Sequence, residues 1–180
     1  MNIVAIIVTH NNEAEIESCL KSLHTQVSKI VIVDSYSQDK TVPLIKNKYK
    51  KLSLIEVSKN IGFAVGNNIG ISKAISSNPD HFLMLNPDTE IDSQSIKKLL
   101  FQAETHIQEQ ILGPLIYKDV GKQTVWSAGG VLDKKRYTAK LIGFDEKNVG
   151  QFDEVKPVEF ISGTCMLIPR KVFETGLRLY

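Results

Sequence analysis

An α/β protein with a Rossmann-like, doubly wound and mainly parallel sheet is predicted by three observations. Short apolar runs without polar alternation recur along the 180-residue chain, stretches with helical spacing separate them, and each run ends in polar residues. The runs "IVAIIVT" (3–9), "KIVIVD" (29–34), "LSLIEV" (52–57) and "HFLML" (81–85) are rich in Ile, Val and Leu. Strands covered on both faces have this composition, and such strands are usually parallel.

The connecting elements follow in order. Between the first two runs, Ile16, Cys19, Leu20 and Leu23 fall on one helical face. Val42, Ile45 and Tyr49 do the same in the second link, where Pro43 is tolerated because it sits near the helix start. The third link, 63–78, is helix-compatible. After Asp88, "DSQSIKKLLFQAETH" begins with Asp92 or Ser93 as N-cap and continues with Ile96, Leu99 and Leu100 on its apolar face. Strand, helix, strand in repetition is the βαβ pattern. Farther on, "ILGPLIY" (111–117) reads as a strand, "VWSAGGVL" (125–132) as a strand broken by a glycine pair, and 143–157 as a polar, mobile loop over the site.

Composition narrows the function classes. With 42% apolar residues the chain can bury one core, and 22 basic against 20 acidic residues leave a net charge of +2, too little for a whole-chain field that draws in nucleic acid. Cys19 and Cys165 fit neither a disulfide framework nor a metal-binding pair, which points to reduced thiols in the cytoplasm. The first apolar run is much shorter than the ~20 residues of a membrane span and has no basic segment before it. Neither GxGxxG nor GxxxxGK[ST] occurs, and the histidines at 10, 24, 81 and 106 are scattered, so no dinucleotide fingerprint, P-loop or HExxH site can be built.

Ligands of doubly wound sheets bind beyond the carboxyl ends of the strands. Those ends are Thr9, His10, Asn11 and Asn12; Asp34, Ser35, Tyr36 and Ser37; Lys59, Asn60 and Gly62; and Asn86 and Asp88. Loops favour Asn, Asp and Ser in any case, but four polar ends can converge on one cleft. Gly62, Gly66 and Gly70, spaced by four, line one face of a helix, where an interior glycine costs ~1 kcal/mol relative to alanine. Two readings are open: tight packing of this helix on the sheet, or a close approach of backbone to a nucleotide beside Asn67 and Asn68.

Taken in order, "IIVTHNNEAEIESCLKSL", "IVIVDSYSQDKT", "NIGFAVGNNIGI", "FLMLNPDTEID", "WSAGG" and "VEFISGTCMLIPRKVF" resemble the successive blocks of family 2 glycosyltransferases with the GT-A fold, especially rhamnosyltransferase-like members. The resemblance runs from about residue 2 to residue 176. It implies one GT-A domain over 1–180, with a nucleotide-sugar-binding half at 1–90 and an incomplete acceptor-side half at 91–180. The implied partners are a dTDP- or UDP-sugar donor and a glycan or lipid-linked acceptor. The implied setting is surface-polysaccharide synthesis in the cytoplasm, with peripheral association at the inner face of the membrane. A nucleotidyltransferase on a related fold is disfavoured because THNN stands where its Gly-rich signature would follow the first strand.

The same resemblance assigns residues. Thr9, Asn11, Asp34, Asn60, Gly62 and Asn86 fall in the donor nucleotide blocks; a carboxylate such as Asp34 accepts strong hydrogen bonds from a base or ribose. The alternative for Asp34 is a loop residue capping the next helix. Family members commonly have Asn and Gly after this Asp; here Ser35 and Tyr36 stand there. Asp88 matches the second acid of the DxD motif and Asn86 replaces the first, so an Mg²⁺ or Mn²⁺ ion would lean on Asp88 and the donor diphosphate. Trp126, Gly129, Gly130 and Gly163 fall on the acceptor or sugar side, although a lone Trp is more often a structural anchor. An inverting transfer needs a general base. The family's base lies in a segment that would follow "RKVFETGLRLY", beyond Tyr180, so the chain reads as truncated; Asp145, Asp153 and Glu159 are the carboxylates at hand in this half. A donor-binding remnant without transferase activity is the alternative.

Overall fold

The computed structural model describes residues 1–180 except 24, 106–109, 122, 175 and 177. Its centre is a five-stranded sheet built from β1 (Ile3–Thr9), β2 (Lys29–Asp34), β3 (Ser53–Glu56), β4 (His81–Leu85) and, from late in the chain, β9 (Cys165–Pro169), in the order β3-β2-β1-β4-β9. The first four strands are parallel, and β9 runs antiparallel to β4. Among the described residues the α-helices that connect or flank these strands are α1 (Ile16–Leu23), α2 (Thr41–Lys48), α3 (Gly62–Ala74), α4 (Ser95–Thr105) and α5 (Lys171–Glu174). Between α4 and β9 lie two small hairpins, β5 (Ile116–Tyr117) with β6 (Val125–Ser127), and β7 (Gly130–Asp133) with β8 (Thr138–Leu141).

The period of two along β1 explains the layers. Ile3, Ala5 and Ile7 join Ile16, Cys19, Leu20 and Leu23 of α1, Ile45 of α2, and Ile96 and Leu99 of α4 in one cluster. Val4 and Ile6 face the other way, into a cluster with Ile71 and Ala74 of α3, Phe82, Met84 and Phe173. Phe82 and Phe173 meet edge to face, 5.5 Å apart. Each fully buried Ile or Leu stabilises the fold by ~1.5–3 kcal/mol, so the two clusters lock the central strand from both sides.

Local chemistry sets the helix ends. Asp92 Oδ1 accepts the backbone N–H groups of Gln94 and Ser95, at 2.8 and 3.0 Å, which starts α4. Asp39, not Asp34, serves α2: its Oδ1 accepts the Thr41 N–H at 3.0 Å. On α3 the glycine stripe divides by role. A Cβ on Gly66 would lie 2.7 Å from Val8 Cγ1, and one on Gly70 would lie 2.5 Å from Ile6 Cγ2. These two glycines let α3 press onto β1. Gly62, with φ +72 and open space where its Cβ would be, instead needs glycine for its backbone conformation.

Several expected elements differ. The third strand is only half-buried because β3 is the sheet edge, without a neighbour on one side. Of 111–117 only Ile116–Tyr117 forms a strand; Leu112 instead makes an isolated bridge to Leu167 of β9. The stretch 125–132 is not one broken strand but the meeting point of two hairpins, since Gly129 turns the chain with φ +91. Residues 145–148 of the expected lid are bonded along 123–125, through Val125 N–H to Glu146 O and Asn148 N–H to Gln123 O, both at 2.9 Å. This part of the loop lines the β5–β6 hairpin.

Replacing Gly66 or Gly70 by Ala is expected to cost about 1–3 kcal/mol by overpacking the α3–β1 contact. Urea unfolding midpoints check this, with Ser72→Ala on the exposed face of the same helix as the control that leaves the midpoint nearly unchanged.

Candidate functional site

Strand register brings the polar ends together. Thr9 lies beside Asp34, Asp34 beside Glu56, and Leu85 beside Ile7, so β1, β2, β3 and β4 finish at one edge of the sheet. Just past that edge is a cavity of about 200 Å³ lined by Val8, Thr9, His10, Asn12, Ser35, Asn60, Gly62 and Phe63. Pockets that hold drug-sized ligands are roughly 300–1,000 Å³. This cavity therefore has room for a part such as a base or sugar, and the rest of a larger ligand would lie along the open strand ends.

The cavity walls are two loops laced to each other. Thr9 is fully buried, and its hydroxyl donates to Asn12 Oδ1 at 3.1 Å; the same oxygen accepts the His10 N–H at 3.1 Å. Asn11 takes the left-handed conformation, φ +56, which Asn tolerates well. Its N–H donates to Ser37 Oγ at 2.9 Å, and its Oδ1 accepts the Gln38 N–H at 2.7 Å. The His10 ring Nδ1 lies 2.8 Å from the Ser35 carbonyl. A carbonyl only accepts, so Nδ1 carries the proton.

Asp34 is 2% exposed, and both its oxygens are engaged by Ser37: Oδ1 accepts the hydroxyl at 2.5 Å and Oδ2 the N–H at 3.0 Å. A carboxylate has about four acceptor positions, and Ser37 takes up two of them, so Asp34 holds its own turn. Tyr36, where the resembled family has Gly, adopts φ +69 and is half-exposed. The turn thus keeps a left-handed geometry at the strain cost of a bulky residue, ~1–2 kcal/mol. Ser35 and Asn60 then fix the entry to α3. Ser35 Oγ donates to Asn60 Oδ1 at 3.1 Å and accepts the Ile61 N–H at 2.9 Å, and Asn60 Oδ1 accepts the Gly62 N–H at 2.9 Å.

A second corner lies at the end of β4. The Asn86 N–H donates to the Thr164 carbonyl at 2.9 Å, the Asn86 carbonyl accepts the Thr89 N–H at 3.3 Å, and the Cys19 thiol approaches that carbonyl at 3.6 Å. Asp88 projects into solvent, with one long contact from the Thr89 hydroxyl at 3.4 Å. Burial pushes the Cys19 thiol up to about 12, and the negative charges of Asp88 and Glu90 add to the effect. Cys165, beside Leu85 in the sheet, is pushed up to about 12 by burial alone. Among the described residues no group of three or more His, Cys, Asp or Glu could hold a metal ion. A hard cation at the expected Asp88 position would therefore have to take most of its oxygens from water and a diphosphate.

The residues expected at the site divide accordingly. Thr9, Asn11, Asp34, Asn60 and Gly62 are brought together; Asn86 and Asp88 stand on the neighbouring strand end. Gly163 is linked to them through Phe63, whose Cζ would be 3.1 Å from a Cβ at 163. Trp126, half-buried in β6, and Gly129 and Gly130 belong to the hairpins. Gly129 gives way to Val158 and Gly130 to the Phe160 ring, so both have packing reasons to be glycine. Asp145 is ion-paired with Lys118, and Glu159 Oε2 accepts the Leu132 N–H at 2.5 Å. His81 begins β4 at the opposite end of the sheet from the cavity, and His24 and His106 lie outside the described residues. The strand-end pattern already reaches the cavity residues His10, Asn12 and Ser35 without giving them a role, whereas Phe63 lies outside it; the signal for Phe63 is an aromatic residue directly after a helix-starting glycine.

The model of the family described as Glycosyl transferase family 2 matches residues 4–177. Among curated relatives, the low-salt glycan biosynthesis hexosyltransferase Agl10 of Haloferax volcanii is 29% identical over 94% of this chain and 53% of its own length. The dTDP-rhamnosyl transferase RfbF of Shigella flexneri is 28% identical over 96% of this chain and 55% of its own. The O-antigen chain rhamnosyltransferase RfbN of Salmonella typhimurium is 26% identical over 97% and 54%. The chain spans about half the length of these relatives. Among solved structures, S. aureus TarS 1–349 in complex with UDP-GlcNAc is similar with a TM-score of 0.66 and 18% identity, over 98% of this chain and 47% of that one. This likeness shows the fold.

Two buried, neutral thiols beside the β4 corner make a prediction. Their folded pKa lies above the value of 9.0 for a free thiol, so the stability they contribute is complete below about pH 9 and is lost as the pH rises toward 12. Urea unfolding between pH 8 and pH 10.5 is expected to show a steeper loss for the native sequence than for Cys19→Ala/Cys165→Ala.

Proposed function

This chain belongs to glycosyl transferase family 2, and from that premise we propose that it binds a nucleotide-diphosphate sugar at the strand ends and serves transfer of the sugar, with inversion, to a glycan or lipid-linked acceptor. Rhamnose from a dTDP donor is the favoured substrate, in the synthesis of a cell-surface polysaccharide on the cytoplasmic side of the membrane. The observation that supports this reading is the shared edge: a cavity lined by Thr9 and Ser35, the neighbours of buried Asp34, and an exposed carboxylate, Asp88, at the end of the next strand but one. The relative RfbF, a dTDP-rhamnosyl transferase, favours the donor, and the complexes of TarS with UDP and UDP-GlcNAc favour a nucleotide-sugar ligand.

The roles follow from the geometry. His10, Ser35 and Phe63 enclose the base or its sugar, with Asp34 accepting from ligand hydroxyls while Ser37 keeps the carboxylate oriented. Asn60 and Gly62 shape the floor by fixing the start of α3. Asp88, with Asn86 beside it, would hold an Mg²⁺ or Mn²⁺ ion against the donor diphosphate. When bound, such a cation offsets the charge that develops on a departing diphosphate. Asn86 contributes an amide oxygen but no charge, so affinity for the ion rests on Asp88 and the donor together. The acceptor must lose a proton to a general base. We assign that role to neither Asp145 nor Glu159, because each is held by other groups.

Calorimetric titration with UDP and dTDP, each with and without Mn²⁺, tests the reading. Binding of at least one nucleotide, strengthened by Mn²⁺, is expected; no binding by either in any condition overturns it. Asp88→Ala is expected to remove the Mn²⁺-dependent gain, and Asn86→Asp to preserve or increase it. Transfer or donor hydrolysis by this chain would reject the alternative of a donor-binding module without turnover.

A further inference from the structure

The β7–β8 ribbon has no role in the site just described, and its build is unusual. Strands 130–133 and 138–141 pair with Val131 opposite Lys140 and Leu132 opposite Ala139. Consecutive residues face opposite sides of a strand, yet Val131 is 42% and Leu132 is 47% exposed. Both faces therefore meet solvent. An isolated two-stranded hairpin is marginal in water, but this one is braced at its root and its tip. At the root, Gly130 lies against Phe160, its carbonyl accepts the Glu159 N–H at 3.0 Å, and the Glu159 carboxylate accepts the Leu132 N–H. At the tip, Asp133 Oδ1 accepts the N–H groups of Lys135 and Arg136, both at 3.1 Å.

The braced tip displays Lys134, Lys135, Arg136 and Tyr137, and Tyr137 is 94% exposed in a left-handed conformation, φ +53. With Lys140, four basic residues and the single acid Asp133 fall within 130–141, so the ribbon is more basic than the chain, whose net charge is +2. Asp133 is occupied by the turn, and the nearest carboxylate to Lys134 is that of Glu159, 3.9 Å away. Among the described residues Lys135, Arg136 and Lys140 have no carboxylate within ion-pair distance.

We propose that this ribbon docks on the surface of an anionic lipid bilayer. Cations alone would equally suit a soluble polyanion. The interleaved Val131, Leu132 and Tyr137 favour the bilayer, because an apolar or aromatic side chain gains from entering the headgroup region and gains little on a hydrated polymer. Basic residues near an anionic leaflet add attraction that accumulates with each charge and is screened by salt. The root of the ribbon also ties it to the nucleotide cavity: Phe160 seats Gly130, and three residues later Gly163 seats Phe63 of the cavity wall. Docking would thus hold the candidate site near the membrane, where a lipid-linked acceptor resides; that consequence, though not the docking itself, rests on the transferase reading.

The test is co-sedimentation with vesicles of phosphatidylcholine alone and with vesicles containing about one third phosphatidylglycerol. Binding to the anionic vesicles only, weakened by salt, is expected. Lys134→Ala/Lys135→Ala/Arg136→Ala should lower it roughly a hundredfold, and Tyr137→Ser several-fold, with circular dichroism unchanged. Absence of binding to anionic vesicles, or equal binding by the triple variant, would overturn the proposal. So would a Tyr137→Ser protein that binds vesicles as well as the native chain, since that result marks a surface for soluble polyanions. Nucleotide titration of the same samples separates this outcome from failure of the transferase reading.

Discussion

The contact between α3 and β1 is the constraint on which the rest of the structure depends. Val8 and Ile6 reach into the space that side chains at 66 and 70 would occupy, so the helix lies against the central strand. That approach fixes where α3 begins, and its first residues, Gly62 and Phe63, are cavity walls. A helix held a few ångströms farther out would leave Asn60 unable to meet both Ser35 and the Gly62 N–H. The packing contact and the cavity are thus one feature seen from two sides.

A similar economy governs the β4 corner. The sheet gains β9 from residues far along the chain, and with it the Thr164 carbonyl that holds the Asn86 N–H. The segment leading into β9 also carries Gly163, whose small size admits Phe63. One short stretch therefore positions parts of both the cavity and the corner. Asp34 and Asp88 differ in consequence: the first is buried and oriented by its own turn, the second is exposed and lightly held. A buried, pre-oriented acceptor suits recognition of neutral hydroxyls, and a free carboxylate suits a cation shared with phosphates.

Much of the first half was legible in the sequence because its signals are local. Four apolar runs, the helix faces of α1 and α4 and the polar strand ends all follow from patterns within a few residues. The glycine stripe was legible as a feature but not as a role: spacing alone could not separate Gly66 and Gly70, which serve packing, from Gly62, which serves a turn. Phe63 was missed because an aromatic residue in a helix reads as core until its neighbour, Gly163, is known. The second half was read poorly for the same reason. Gly129 and Gly130 are set by Val158 and Phe160, and 145–148 by 123–125, contacts across the chain that leave no periodic trace.

The proposed function requires the strand ends of β1, β2 and β4 to form one nucleotide-diphosphate site. The most direct measurement is a crystal structure of the chain with UDP or dTDP and Mn²⁺, with the ion located by its anomalous signal. The base or ribose is expected between His10, Asp34 and Phe63, and the ion against the Asp88 carboxylate and the diphosphate. A nucleotide bound away from this edge, or an ion that does not contact Asp88, would contradict the proposed function.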